Sequence, residues 1–272
     1  MRGRTLIFTL LAALVGLGWL FPLIATLLGS ITPYETAVLY GWWGLRALTD
    51  SNYVDLVREG IYRYVLNSLA IAGASTALPI LLGMALAFSI RRRHIPGGDI
   101  WAPILYVLQV LPQQSITVPI LSLYSKAQWI MQSYLGVVLV HTAFALPWIT
   151  FFFYNFLASL PKELVESAEI DGASDFRLFS SVVLPVMTTA IISVAAIQFV
   201  FVYNDLYFGL VFIRNGSLFP VTVFIANSVS AYFVNVALMA AAAVVAVLPP
   251  IIIFLALQRY YVTGILGGFM KG

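Results

Sequence analysis

The chain has 272 residues, of which 61% are hydrophobic and only 9% charged, against roughly 25% charged in ordinary soluble domains. That composition excludes a water-facing globule and makes lipid the solvent for most of the surface. The net charge of +3 does not indicate nucleic-acid binding, because Lys and Arg sit at segment ends and form no stripe; no cysteine is present, which excludes disulfide and thiol chemistry.

Arg2 and Arg4 precede an apolar run from Thr5 to about Leu28. The run exceeds the roughly 7–15 residues of a secretory signal core, and no small-x-small cleavage pattern follows it. It therefore predicts a retained membrane helix over about 5–29. A crossing needs about 20 mostly apolar residues, and further windows lie at about 66–90, 101–124, 134–157, 183–210 and 233–257. Their apolar runs are continuous, without the alternation of barrel strands, so helices are expected. Pro22, Pro79, Pro112, Pro119, Pro147, Pro249 and Pro250 read as kinks that neighbouring helices can accommodate. The expected fold is all-α: one polytopic membrane domain over residues 1–272 with six transmembrane helices.

Between the first two windows, residues 30–65 carry Tyr34, Tyr40, Trp42, Trp43, Tyr53, Tyr62 and Tyr64. An interfacial aromatic belt with a short surface helix accounts for them. A contact surface for an extracytoplasmic partner is the functional alternative. No internal repeat is visible, so an inverted-repeat secondary transporter finds no support.

Lys and Arg placement sets the orientation. With the N-terminus inside, Arg2, Arg4, Arg91, Arg92, Arg93, Lys162, Arg177, Arg259 and Lys271 lie inside, and Arg46, Arg58, Arg63, Lys126 and Arg214 outside. The excess inside predicts a multi-pass cell-membrane protein with both termini and the 158–182 loop cytoplasmic. The Arg91–Arg93 cluster is the strongest single anchor.

That loop is the most informative part of the chain. Between two apolar windows it gathers Lys162, Glu163, Glu166, Glu169, Asp171, Asp175 and Arg177, which presents it to water and to a soluble partner. Pro161 suits the first turn of a helix. Glu163 and Glu166 favour the positive end of its dipole. Leu164, Ala168 and Val165 form a narrow apolar edge. Gly172 is placed to stop the helix in a left-handed conformation. Ser174 is placed to cap the next helix, with Asp175 following. That second helix is expected to run through Phe176 and Phe179 into the membrane at Leu184-Pro185.

The spacing is specific: Glu166-Ser167-Ala168, three residues, Gly172, nine residues, Val182-Val183-Leu184-Pro185. It resembles the signature of importer permeases of the ATP-binding cassette class, Glu-Ala-Ala, three residues, Gly, nine residues, Ile-x-Leu-Pro. Ser167 replaces the middle Ala and Val182 the Ile. Tyr64-Val-Leu-Asn67-Ser68 is similar to the family's entry to the second helix, and Arg91–Arg93 with Ile95-Pro96-Gly97 to its basic turn. Tyr203-Asn204-Asp205 resembles the aromatic-Asn-acid step of the fifth helix. The tail, Gln258-Arg259-Tyr260-Tyr261-Val262-x-Gly264 ending in Lys271-Gly272, is close to that of maltose-type permease G subunits, the carbohydrate importer branch. The resemblance implies an assembly of two homologous permease subunits, two ATPase subunits and an external solute-binding protein. It also implies ATPase coupling through a cytoplasmic coupling helix at Glu166, Ser167, Ala168, Asp171, Gly172 and Ala173, with Lys271-Gly272 near the same interface.

Polar residues at membrane depth usually face a cavity or another helix. Gln109, Gln113, Gln114, His141, Asn155, Gln198, Asn204 and Asp205 are such residues. A sugar path needs amide, carboxylate and aromatic partners, which makes Gln113, Gln114, Trp148, Asn204 and Asp205 its candidates; interhelical hydrogen bonding is the plainer alternative for each. His141 and His94 lie apart and give no metal site. No phosphate loop, Gly-x-Ser-x-Gly or His-Glu-x-x-His pattern occurs. No catalytic residue, cofactor or metal is expected, and the chain is read as a non-enzyme. The expected function is the permease subunit of an ATP-driven sugar importer. The same machinery for a polyol, glycerol phosphate or other solute is an alternative. A self-contained transporter or channel is a further one, weakened because Asp205 is the only acid in any window and sits near an end.

Overall fold

The computed structural model describes residues 2–41, 46–92, 94–110, 112–228 and 235–269. Among them there is no strand. The α-helices are α1 Arg2–Ser30, α2 Tyr34–Tyr40, α3 Ser51–Arg58, α4 Ile61–Arg91, α5 Gly98–Val107, α6 Gln113–Tyr124, α7 Gln128–Met131, α8 Leu135–Ala158, α9 Lys162–Ile170, α10 Asp175–Arg177, α11 Leu184–Val186, α12 Thr188–Tyr203, α13 Tyr207–Phe212, α14 Val221–Asn227 and α15 Val236–Phe269. Among the described residues, four stretches are long and apolar enough to cross a membrane: Phe8–Ser30, Ile61–Arg91, Leu135–Ala158 and Val236–Gln258. Pro22, Pro79 and Pro147 lie inside α1, α4 and α8, the continuous but Pro-bearing helices expected from composition.

Two windows depart from a single straight helix. Over 101–124 the chain forms α5, a 3-10 turn at Leu108–Val110 and α6. Pro112 supplies no N–H and disfavours helical backbone at the residue before it. At 1.5 Å per residue neither piece spans a bilayer core of about 30 Å. Leading into the fifth window, residues Leu178–Val183 are π-helical, and the axis bends by 73° between Asp175–Val186 and Thr188–Tyr203. Pro185 removes a backbone donor, and a widened turn with a kink is the usual accommodation. Counted as one crossing, this bent pair makes a fifth.

The residues divide into two compact units, Met1–Val65 with Val221–Pro249, and Leu66–Pro220 with Pro250–Gly272. In the first, most apolar side chains of α1 from Phe8 onward are exposed, Leu14 and Trp19 included, as suits a lipid solvent. Its end is tied to α3. The Asn52 amide donates to the carbonyls of Ser30 and Thr32 at 2.9 and 3.0 Å, and the Ser30 and Tyr53 hydroxyls are 2.7 Å apart. The aromatic 30–65 segment does contain short helices, α2 and α3; Trp42 and Trp43 lie outside the described residues.

In the second unit α4 packs closely on α8. A Cβ on Gly83 would lie 2.8 Å from the Ile149 side chain and 3.3 Å from the Thr150 nitrogen, so the absent side chain is what permits the approach. Met84, Ala87 and Phe88 of α4 and Ile149 and Phe153 of α8 form one buried cluster with Leu178, Val183 and Met187. Asn67 pins the same unit at its other end. Its amide donates to the carbonyls of Ser217 and Phe219, both at 2.9 Å, and its oxygen accepts from the Tyr134 hydroxyl at 2.6 Å.

Candidate functional site: a capped turn and a polar cavity

The 158–182 loop folds as its local signals dictate. Helix α9 follows Pro161 and ends at Ile170. Gly172 has φ +76°. The Gly172 N–H donates to Glu169 at 2.9 Å and the Ala173 N–H to Ala168 at 3.0 Å, the paired bonds of a Schellman C-cap. A side chain at 172 would meet nothing within 4 Å, so conformation alone demands glycine. The Ser174 hydroxyl then accepts from the Arg177 N–H at 3.4 Å, capping α10 as its position predicts.

The loop's narrow apolar edge turns toward the protein interior. Val165 and Ala168 pack inward against the α4–α8 cluster. The outward apolar side chains are Ile170, 86% exposed, and Phe176, 79% exposed, on either side of the Gly172 turn. Glu163, Glu166, Ser167, Asp171 and Gly172 are exposed with them, and Ala173 is half-buried. Buried partners decide which face turns inward, and helical spacing alone did not contain them.

The turn is also held by charge. The Arg92 guanidinium binds Glu169 before the turn and Asp175 after it, the latter at 2.9 Å. The hydrogen bond to Glu169 is the largest influence on Arg92; despite some burial, it and Asp175 hold the guanidinium above its ordinary range. His94 Nε2 lies 3.1 Å from the other Asp175 oxygen. Arg91 Nε donates to the Tyr154 carbonyl at 2.9 Å, and its guanidinium sits 3.7 Å from the centre of the Tyr154 ring. Arg93 and the Lys271-Gly272 end lie outside the described residues.

A second polar feature is a cavity of about 510 Å³ between α5, α8 and α12, of the size that holds small organic molecules. Of the residues considered for a sugar path, Gln113, Trp148 and Asp205 line it; Gln114 and Asn204 do not. Gln109, His141 and Gln198 line it as well, with Tyr106, Phe144 and Phe208. Sequence reading noted the three polar residues at depth without assigning them to the path, and missed the aromatic ones, which a hydrophobic run does not distinguish from lipid-facing positions. Several polar groups are already engaged. The Gln109 amide donates to the Phe144 carbonyl, and Gln198 to that of Ser75 at 3.2 Å. Asp205 Oδ2 accepts from the N–H groups of Phe208 at 2.9 Å and Gly209 at 3.3 Å, capping α13. His141 Nε2 lies 3.7 Å from the same oxygen. No group of three metal-binding side chains occurs among the described residues.

Residues 79–266, spanning both features, match the family model described as binding-protein-dependent transport system inner membrane component. The chain belongs to this family. The permease of Synechocystis named for uptake of osmoprotective compounds is similar to it, 33% identical over 93% of this chain and 88% of that one. The melibiose/raffinose/stachyose import permease MelC of Bacillus subtilis is 29% identical over 98% and 96%. Among solved structures, a chain of a bacterial ABC transporter for import of the acidic polysaccharide alginate superposes with a TM-score of 0.79, covering 96% of this chain and 97% of that one at 16% identity. That likeness shows the fold, and it makes this family member an all-α, multi-pass membrane protein.

Proposed function

We propose that the chain is one permease subunit of a sugar importer, paired with a homologous permease, two ATPase subunits and an external binding protein. The Gly-terminated turn at the family's spacing carries this reading. It presents Glu166, Ser167, Asp171, Gly172, Ile170 and Phe176 outward on a charged loop, with Ala168 and Ala173 supporting it from within. An ATPase that closes on ATP takes this turn in a groove and moves it. Residues 1–272 then act as one domain with six crossings, the third through α5 and α6 and the fifth through the bent α11–α12 segment. Both termini and the loop face the cytoplasm, which the Lys and Arg asymmetry supports.

The cavity walls supply amides, a carboxylate and aromatic faces, the partners that hydroxyl-rich solutes require. MelC is named for oligosaccharide import, in keeping with a sugar; the Synechocystis relative is named for osmoprotective compounds, which keeps another small solute as the second reading. The test is reconstitution with the partner permease, ATPases and binding protein in liposomes. Uptake of labelled sugar that needs both ATP and the binding protein supports the reading, and uptake by the chain alone refutes it. Orientation is tested separately, since the chain has no cysteine. An impermeant thiol reagent outside intact cells should label a cysteine at Ser51 and not one at Ser174.

A further inference from the structure

The segment leading from the Gly172 turn into α12 is not a stiff rod. It passes through the π-helical stretch Leu178–Val183 and a 73° bend before α12 begins. The π-helical stretch bonds five residues back instead of four, and the bend turns the axis, so the direct path departs from a rigid rod and transmits an applied displacement weakly. A second path is shorter. Arg92, one residue beyond α4, grips Glu169 on one arm of the turn and Asp175 on the other. His94 adds to the grip on Asp175 at 3.1 Å. Arg91, next in sequence, fastens the same helix end to the Tyr154 backbone and ring on α8. Apolar contacts such as Phe88 on Phe179, with ring centres 5.1 Å apart, resist separation but are not directional. A guanidinium fork shared by two carboxylates fixes direction as well as distance.

We propose that Arg92 is the positioning residue that makes the two arms of the Gly172 turn move as one body with the end of α4, and through Arg91 with α8, so that displacement of the turn reaches the helices beside the cavity. The proposal rests on the reading of the turn as the ATPase-coupling element. It gives Arg92 a role beyond the topological one that its charge suggests.

The experiment measures solute uptake and ATP hydrolysis together in liposomes holding the complete transporter. For Arg92→Gln, ATPase subunits should remain bound and hydrolysis stay near the parental rate. Solute moved per ATP should fall about fivefold or more, the scale of a lost coupling free energy. Arg92→Lys, which keeps the charge without the fork, should restore part of the ratio. The double variant Glu169→Gln with Asp175→Asn removes the partners without touching α4, and should reproduce the fall. An unchanged ratio in both Arg92→Gln and the double variant overturns the proposal. So does loss of ATPase subunits with a parallel fall in both activities, which would make Arg92 merely structural. Gly172→Val run alongside separates the two ideas: normal uptake there refutes the coupling role of the turn itself, whatever Arg92 does.

Discussion

The Gly172 turn and the cavity beside Asp205 are both polar features in an apolar chain, yet they are built in opposite ways. The turn is made by one contiguous stretch, and its backbone is set by Pro161, Gly172 and Ser174 within that stretch. The cavity collects residues from Tyr106 to Phe208 across several helices, and its polar groups also serve as caps and interhelical bonds. The turn thus concentrates its role in a few exposed side chains, while the cavity distributes its role over many partly engaged ones. Single changes should therefore be severe at the turn and graded in the cavity.

The sharpest test of that contrast is to place a charge on the exposed apolar residues flanking the turn. Ile170→Asp combined with Phe176→Asp should weaken ATPase retention by about 2 kcal/mol or more, roughly thirtyfold, if these residues are buried in a partner groove. Pull-down from detergent extracts measures it, and undiminished retention would place the interface elsewhere. Next in size is Gly172→Val, which forces a β-branched residue to φ +76° at a cost of about 1–2 kcal/mol. Uptake should fall about tenfold while the protein stays in the membrane. Because the site has open space around it, Gly172→Asn should retain much more uptake than Gly172→Val, since Asn tolerates the left-handed region. Equal loss in both would point to bulk against a partner and away from backbone strain.

In the cavity the expected effects are smaller. Alanine at Gln113 or Trp148 should lower uptake about fivefold, the worth of roughly one net hydrogen bond or a comparable contact. Alanine at Gln114 or Asn204, which the cavity excludes, should leave uptake within about twofold on the same scale. Abolition of transport by any one of these would break the distributed picture. The smallest effect concerns Asp205. Asp205→Ala removes the cap on α13 and should cost about 1 kcal/mol of stability, whereas Asp205→Asn keeps an N-capping oxygen and should cost less. Thermal unfolding of the purified complex distinguishes them. A fall in uptake for both, with a fall in stability only for Ala, would separate the cavity role of the carboxylate from its capping role.

Much of the loop was legible because its geometry is local. A proline, a glycine and a serine at fixed separations specify a helix start, a left-handed stop and a cap through bonds that reach no more than five residues. The cavity was half-legible. Gln113, Trp148 and Asp205 were identified by polarity or ring chemistry, but Gln114 and Asn204 share that chemistry and do not line the cavity. One residue of rotation along a helix moves a side chain by about 100°, and no composition argument resolves that angle where both faces are apolar.

The sequence by itself determined that this is an all-helical membrane protein, where its polar loop lies, and the backbone form of the Gly172 turn. These follow from hydropathy over about 20 residues and from short-range sterics, which act whatever the rest of the chain does. The tertiary structure decided that α9 turns Val165 and Ala168 inward and leaves Ile170 and Phe176 out, and that Arg92 joins both arms of the turn. The last of these depends on a meeting of surfaces whose residues lie 77 and 83 positions apart in the chain. Only packing supplies such meetings, because a charge can choose its partner only after the helices carrying it have been placed.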